Sequence, residues 1–347
     1  MHLSIDVMGG DLGPRPCILA ASKFLADYPS TSIELIGRPD QIHSVLEDIP
    51  SCKTLLQVTD SRSDPDKVIK VPRLSVVAAS EVVEMTDQPV QAMRQKKDSS
   101  MSVSLKRLGD GHSQACVSGG NTGALVVTSM HILGTCSEIK RPAICKAIPT
   151  KKGLSYLLDL GANLKCDAYV LKQFAIMAAA LFDTNISKGK ARVSLLNVGI
   201  EENKGLDVLL EAADLLSQCD QLEYCGFIEG NNLFDGDVDV IVCDRFSGNI
   251  ALKSSEGTAQ FIFSRLNTFL KQGVLRRIFS YVLNPWLESL NPSLFNGAIF
   301  LGLNNTVVKS HGGADEKSFY NAIKTAYELA QKNIPTRIAS FLNNASS

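Results

Sequence analysis

The chain has 347 residues, a formal net charge of −1 and 45% apolar residues, which suits a globular protein with a substantial core and excludes a disordered or fibrous one. Near-neutral charge also argues against a dedicated nucleic-acid binder, which carries a clear basic excess. Nine cysteines stand at irregular spacings without a C-x-x-C pair, the usage of reduced core thiols in a cytosolic protein rather than of a disulfide frame or a zinc site.

Residues 3–7 read as a strand, 14–27 as a helix, 32–36 as a strand and 39–47 as a helix with proline at a favourable early position. A strand is expected at 55–58. Residues 59–100 are richer in Asp, Ser, Pro and Lys, and a weakly patterned helix is expected around 75–83. Regular alternation then resumes with a strand at 115–117, a helix at 122–133, a strand at 154–158 and a buried helix at 168–181. A strand at 193–198, an amphipathic helix at 206–216 and a nearly continuous apolar strand at 238–243 follow, the last as expected where both sheet faces are covered.

Repeated strand-helix units of this kind imply an α/β fold with a largely parallel sheet and helices on both faces. The first residues enter a strand without the basic and apolar segments of a secretion signal. Residues 174–182, the longest unbroken apolar run, are far short of the roughly 20 that span a membrane. A cytoplasmic location is therefore expected. Residues 1–335 are read as one two-lobed catalytic unit and 336–347 as a C-terminal tail.

Glycine-rich loops punctuate these units: Asp6-Val7-Met8-Gly9-Gly10-Asp11, Ser118-Gly119-Gly120-Asn121-Thr122-Gly123, Asp159-Leu160-Gly161-Ala162-Asn163, Asp244-Arg245-Phe246-Ser247-Gly248-Asn249 and His311-Gly312-Gly313. Most follow a strand-like run and precede a helix-like one, so in a parallel sheet they gather along the edge where such folds bind ligands. Glycine permits close backbone approach, and the open N–H groups at the start of the next helix favour an anion such as phosphate. One such loop is ordinary turn chemistry. Five that converge are a site.

Residues 258–290 depart from the plan. They read as mostly helical, with a surplus of bulky apolar side chains, four cations (Arg265, Lys271, Arg276, Arg277) against one acid (Glu288), and a break at Asn284-Pro285. Such a segment suits a protruding helical hairpin that joins two subunits, core packing, or contact with anionic lipid at the inner face of the cell membrane.

As a set, and in this order, the loops resemble the bacterial phosphate acyltransferase family of the PlsX type. The likeness extends from Asp6 to about Ile323 and includes Arg94-Gln95-Lys96-Lys97-Asp98-Ser99-Ser100, Leu195-Leu196-Asn197-Val198-Gly199 with Glu201, Glu202, Lys204 and Gly205, and Lys253, Glu256 and Gly257. Three stretches depart from the family pattern: Arg245 stands where glycine is usual, Asn305 replaces a glycine, and His311-Gly312-Gly313-Ala314 replaces His-Gly-Ser-Ser. The resemblance implies a two-lobed fold like that of isocitrate and isopropylmalate dehydrogenases and phosphotransacetylase, usually as a homodimer with a deep cleft. It implies transfer of a fatty acyl group from acyl-acyl-carrier protein to inorganic phosphate, in phospholipid synthesis, feeding a membrane glycerol-3-phosphate acyltransferase. No metal or nucleotide cofactor is implied, and neither a P-loop lysine motif nor a GxGxxG fingerprint is present.

Phosphate is itself a competent nucleophile, so such a protein must chiefly hold it against the thioester carbonyl and stabilise the tetrahedral oxyanion. Gly9, Gly10, Ser118, Asn121, Thr122 and Gly123 are candidates for an anion nest. Asp6, Asp11, Lys204, Asp244 and His311 are candidates for charge and proton control. Asp6 and Asp244 could instead cap helices, and His311 could be a structural histidine. Asn163, Glu201 and Asn249 are further substrate-binding candidates, the two asparagines being equally able to form turns. Arg94, Lys96 and Lys97, with Lys106 and Arg107 beyond, could steer an acidic carrier protein or form a solvated charged face. Two other readings stand beside this one: a phosphate acetyltransferase-like enzyme using acyl-CoA, and a membrane-associated scaffold that binds acyl carrier protein without turnover.

Overall fold

The computed structural model describes residues 1–49, 73–163, 165–183, 189–201, 204–270 and 292–343. Along the chain come β1 (His2–Asp6), α1 (Pro14–Asp27), β2 (Ser32–Gly37), α2 (Pro39–Glu47), β3 (Leu74–Ala78), α3 (Pro89–Gln95), α4 (Ser100–Gly109), β4 (Ala115–Ser118) and α5 (Thr122–Leu133). Next are β5 (Ala143–Thr150), β6 (Gly153–Leu158), α6 (Ala168–Asp183), β7 (Arg192–Leu196), α7 (Asp207–Ser217), β8 (Glu223–Ile228), β9 (Val240–Val242) and α8 (Arg245–Leu270). β10 (Ala298–Leu301), β11 (Thr306–Lys309), α9 (Glu316–Gln331) and α10 (Ile334–Asn343) follow. The chain divides into two compact units, Met1–Cys136 with Gly297–Thr336, and Ser137–Asn296 with Arg337–Ser347.

In the first unit the strand order is β3-β2-β1-β4-β11-β10. The first five run parallel, and β10 is antiparallel to β11. β1 is buried on both faces, with Leu3 and Ile5 covered on one and Ser4 and Asp6 enclosed on the other, because helices lie on each side of the sheet. Phe24 of one of them, α1, stacks on Tyr28 just beyond its end and meets Tyr320 and Tyr327 of α9, and Tyr28 also meets Tyr327, a cluster of the kind that contributes beyond its buried area. Glu34 of β2 is buried, ion-paired with Arg107 and 3.1 Å from His2 Nε2, an ion pair when that imidazole is protonated. Burial alone would raise its pKa. Hydrogen bonds from His2 and Arg107, with their charges, outweigh burial and hold it at about 2.

The second unit has the order β5-β6-β9-β7-β8, with β5 antiparallel to β6 and the others parallel. α6 covers β9 and β6 with Phe174, Ala175, Met177 and Leu181, all buried. Ile338 and Leu342 of α10 are buried as well, and the Phe341 carbonyl accepts the Gln221 amide at 2.7 Å.

The parallel sheets and covering helices match the α/β expectation, and Cys17, Cys116, Cys145 and Cys243 are buried free thiols. Burial pushes the pKa of each of these thiols upward, which keeps them protonated. The expected helix at 75–83 is corrected: Leu74–Ala78 is a strand, parallel to β2. Its adjacent valines favour an extended chain, and pairing with β2 satisfies the backbone that a weak helix pattern would have left to local bonds. The expected strand at 55–58, and residues 271–290 of the expected hairpin, lie outside the described residues. Among the described residues no helix is long and apolar enough to cross a membrane.

Candidate active site

Three of the five loops leave the same edge of the first sheet. Asp6 is in register with Ser118, and Ser118 with Lys309, so the loops after β1, β4 and β11 emerge side by side at the C-terminal ends of three adjacent parallel strands. They touch backbone to backbone. A Cβ on Gly9 would stand 2.7 Å from both Asp6 Oδ2 and the Gly120 nitrogen, and one on Gly10 would stand 3.3 Å from the Gly312 carbonyl. Asp11 N donates to that same carbonyl at 2.8 Å. Glycine is required here by close approach rather than by its dihedral freedom.

Asp6 organises this contact from within. Its side chain is 1% exposed, Ser118 Oγ donates to Oδ2 at 2.6 Å, and Met8 N donates to Oδ1 at 3.2 Å. The Ser118 hydroxyl in turn accepts from Gly120 N at 3.1 Å. Burial raises the Asp6 pKa, against hydrogen bonds from Ser118, Ser100 and the Met8 and Gly9 amides that lower it. Asp6 and Ser118 are thus a framework pair that sets the loops. Both were expected at the reacting anion; in the structure their polar groups are enclosed and hydrogen-bonded within the loops.

Asn121, expected in the anion nest, also makes its contacts within the protein. It caps α5, its Oδ1 accepting from Ala124 N at 3.0 Å, while its Nδ2 donates to the carbonyls of Met85 (2.9 Å) and Asp87 (3.1 Å). The cap leaves the N–H groups of Thr122 and Gly123, at the first two helical positions, without intrahelical partners. Two side chains flank the third loop. Gly313 N donates to His311 Nδ1 at 3.1 Å, which places the proton of the neutral imidazole on Nε2. A Cβ on Gly313 would lie 3.6 Å from His311 Nδ1 and 3.8 Å from Asp11 Oδ2, so His311 and Asp11 border the same point, both exposed. Sequence reasoning missed Lys309, whose ammonium donates to the Gly119 carbonyl at 3.0 Å. A lysine at the last position of a strand, directly before a glycine loop, is the signal that could have found it.

The second sheet repeats the arrangement. Loops after β6, β9 and β7, which are adjacent and parallel, carry Asp159, Asp244 and Asn197–Gly205. Asp159 is 0% exposed and accepts at Oδ1 from Ile144 N (2.9 Å), Ala162 N (3.0 Å) and Gly161 N (3.3 Å), and at Oδ2 from Asn163 N (2.8 Å) and Nδ2 (3.0 Å). Burial raises its pKa against these donors. Asn163, expected at the substrate or in a turn, also donates to Pro142 O at 2.8 Å and is buried, so it helps frame this loop.

Asp244 caps α8, accepting from Ser247 N at 2.7 Å; the capping alternative is the one its geometry supports. Gly248, one turn on, packs so tightly that a Cβ would meet the Asp159 carbonyl and Cys243 Sγ at 2.5 Å. Asn249 is exposed on the first turn of that helix. Lys204 Nζ pairs with Glu201 Oε1 at 2.6 Å, the two side chains 54% and 51% exposed. Asn197 closes this loop by donating to Lys204 O at 2.8 Å. Glu202 lies outside the described residues.

The basic stretch is divided. Arg94 and Lys97 are exposed. Lys96 is held by Asp87 Oδ2 (2.6 Å) and Val82 O (2.8 Å), and Asp87 is held below its ordinary pKa chiefly by that hydrogen bond. Lys96, expected to steer a carrier protein, has its charge paired inside the 82–96 segment. Lys106 donates to Lys97 O at 2.9 Å, and Arg107 is taken by Glu34.

The family model of the fatty acid synthesis protein matches residues 1–337. The phosphate acyltransferase of Saccharophagus degradans is 44% identical over 346 residues, covering 99% of this chain and 96% of that protein. That of Cellvibrio japonicus is 44% identical over 342 residues, covering 97% of each. Among solved structures, a phosphotransacetylase from Staphylococcus aureus matches with a TM-score of 0.56 at 14% identity, over 97% of this chain and 94% of that one. A branched-chain phosphotransacylase from Enterococcus faecalis matches with a TM-score of 0.56 at 14% identity, over 95% and 99%. At such identity these two speak for the fold alone, whereas the curated relatives and the family model decide membership: the chain belongs to the fatty acid synthesis protein family, among the phosphate acyltransferases, and is an enzyme of the transferase class.

Proposed function

We propose that the enzyme transfers a fatty acyl group from acyl-acyl-carrier protein to inorganic phosphate. A phosphate oxygen attacks the thioester carbonyl, the C–O bond forms as the C–S bond breaks, and the proton of hydrogen phosphate passes to the departing thiolate. The products are acyl phosphate and free carrier-protein thiol. The observation that carries this reading is the stack of three glycine loops at the ends of β1, β4 and β11, with the open N–H groups of Thr122 and Gly123 at the start of α5. Such a stack offers an anion backbone donors at close range, and Gly9 and Gly10 let the chain approach it.

Around that cradle, His311 bears its neutral-state proton on Nε2 and serves as a donor to the anion, Lys309 adds positive charge beside Gly119, and the exposed Asp11 carboxylate relays the hydrogen-phosphate proton to the thiolate. In the second group of loops, Lys204 is the cation for developing negative charge, balanced by Glu201 in the resting enzyme. Asn249 and the first turn of α8 border this second group. Arg94 and Lys97 steer the acidic carrier protein. A homodimer is the proposed assembly. Phe261 and Phe269 lie on one exposed stripe of α8 with Arg265, a surface suited to a subunit contact. Release at the inner face of the membrane, to a glycerol-3-phosphate acyltransferase, would suit a product that is both greasy and reactive.

Incubation with acyl-acyl-carrier protein and phosphate, followed by hydroxylamine trapping, tests the reaction. The expected result is acyl hydroxamate that requires phosphate. Turnover with acyl-CoA and none with the carrier-protein thioester would replace the donor; no hydroxamate with either would overturn the reaction.

A further inference from the structure

The second unit contains a cavity of about 310 Å³ between the β5–β6 hairpin and α8, at the lower end of the roughly 300–1,000 Å³ of small-molecule sites. Its walls are almost wholly apolar: Ile148 of β5, Leu157 of β6, and Ala251, Ala259, Ile262 and Leu266 along α8 contribute to them. From Ala251 to Leu266 the helix rises roughly 22 Å at 1.5 Å per residue, so the apolar lining is long and narrow rather than round. That shape suits an extended aliphatic chain better than a ring system.

One charged pair interrupts the lining. Lys146 Nζ meets Glu256 Oε1 at 2.7 Å, and Lys253 meets the other carboxylate oxygen at 2.9 Å. Burial would raise the Glu256 pKa, but Lys146 and Lys253 outweigh it and hold the carboxylate ionised. One end of the cavity, at Leu157 and Ala251, lies close along the chain to the second group of loops. Leu157 lies two positions before Asp159, and α8 starts at the Asp244 cap and the Gly248 contact with the Asp159 backbone. A chain lying along α8 therefore ends near polar loop atoms.

We propose that this cavity binds the acyl chain of the thioester and of the acyl phosphate, and that its length along α8 sets the acyl-length preference. The identity of the occupant rests on the proposed acyl transfer, while the apolar groove and the contact of the start of α8 with the Asp159 loop stand on geometry alone. Each methylene that enters such a groove should strengthen binding about four-fold, the equivalent of about 0.8 kcal/mol, until the groove is full.

The test compares the parent with Ala259→Trp and Ala251→Phe, which fill the groove from an incompletely buried helix face and can be checked for fold by circular dichroism. Binding of dodecanoate is measured by calorimetry, independently of turnover, and kcat/KM is measured for hexadecanoyl and butanoyl donors. The expected result is dodecanoate binding by the parent, at least ten-fold weaker binding in both variants, and at least a ten-fold fall in the hexadecanoyl-to-butanoyl ratio. Absence of dodecanoate binding in the parent, or an unchanged affinity and ratio in folded variants, overturns the proposal. Variants that change only the sedimentation of the protein would assign the groove to a second copy of the chain, and this too overturns it. Dodecanoate binding lost in the variants, with no acyl hydroxamate formed by the parent, would uphold the cavity and overturn the acyl-transfer reading instead.

Discussion

The two groups of loops are built on the same plan and finished differently. In each, a buried carboxylate stands at the end of a parallel strand: Asp6 at the end of β1 and Asp159 just beyond β6. Asp159 is saturated by five N–H donors, four of them from its own short loop, so it closes that loop on itself. Asp6 instead reaches across to Ser118 on the neighbouring strand and binds two loops into one surface. A self-contained carboxylate fixes a shape locally, whereas one shared between strands places separate backbones against each other. The shared arrangement sets the loop that leads to Thr122 and Gly123 directly against the Gly9 loop, and it suits the anion cradle.

Gly9→Ala attacks this difference most directly, since the new Cβ would stand 2.7 Å from Asp6 Oδ2 and Gly120 N. Displacing the cradle should lower kcat/KM about 100- to 1,000-fold, with phosphate saturation kinetics as the readout. Asp159→Asn puts an amide N–H₂ among five donors, and unfolding in denaturant should show a loss of about 3 kcal/mol. An equal stability loss from Gly9→Ala would mean that the first group of loops is as much a folding element as the second.

Lys204→Met should lower kcat/KM about 10- to 100-fold, less than a fully enclosed donor would cost because the lysine is exposed. Its stability should change by about 1 kcal/mol or less, as for other surface ion pairs. Away from both groups, Glu34 has a folded pKa of about 2 against an ordinary 4.5. Because the folded value is the lower, its ion pairs contribute stability above about pH 4.5 that is lost as pH falls toward about 2. Glu34→Gln should cost about 2 kcal/mol at neutral pH and flatten that acid limb in pH-dependent denaturation. The smallest effect is expected from Arg94→Glu with Lys97→Glu: a loss of about 5- to 10-fold with a carrier-protein donor at low salt, absent with a small thioester. Stopped-flow association rates across ionic strength would check it.

Much of this was legible in the chain itself. Apolar runs of strand length followed by glycine loops and helix starts determined the α/β class, the order of the main elements and the side of the sheets on which the loops lie, because those are local consequences of periodicity and turn chemistry. The need for glycine at positions 9 and 10, and a cap at Asp244, were readable for the same reason. β3 was misread because two adjacent valines in a weak pattern are settled only by the strand they pair with. What each polar side chain faces was decided by tertiary structure alone. Asp6 and Asp11 stand five residues apart in one motif, yet one is enclosed by Ser118 on a strand 112 residues away and the other is exposed beside His311 and Gly312. Lys96 and Lys97 are neighbours, yet only Lys96 finds Asp87. Motifs specify which groups are available; burial and long-range partners, which no local pattern encodes, determine which remain free to meet a substrate and which hold the loops in place.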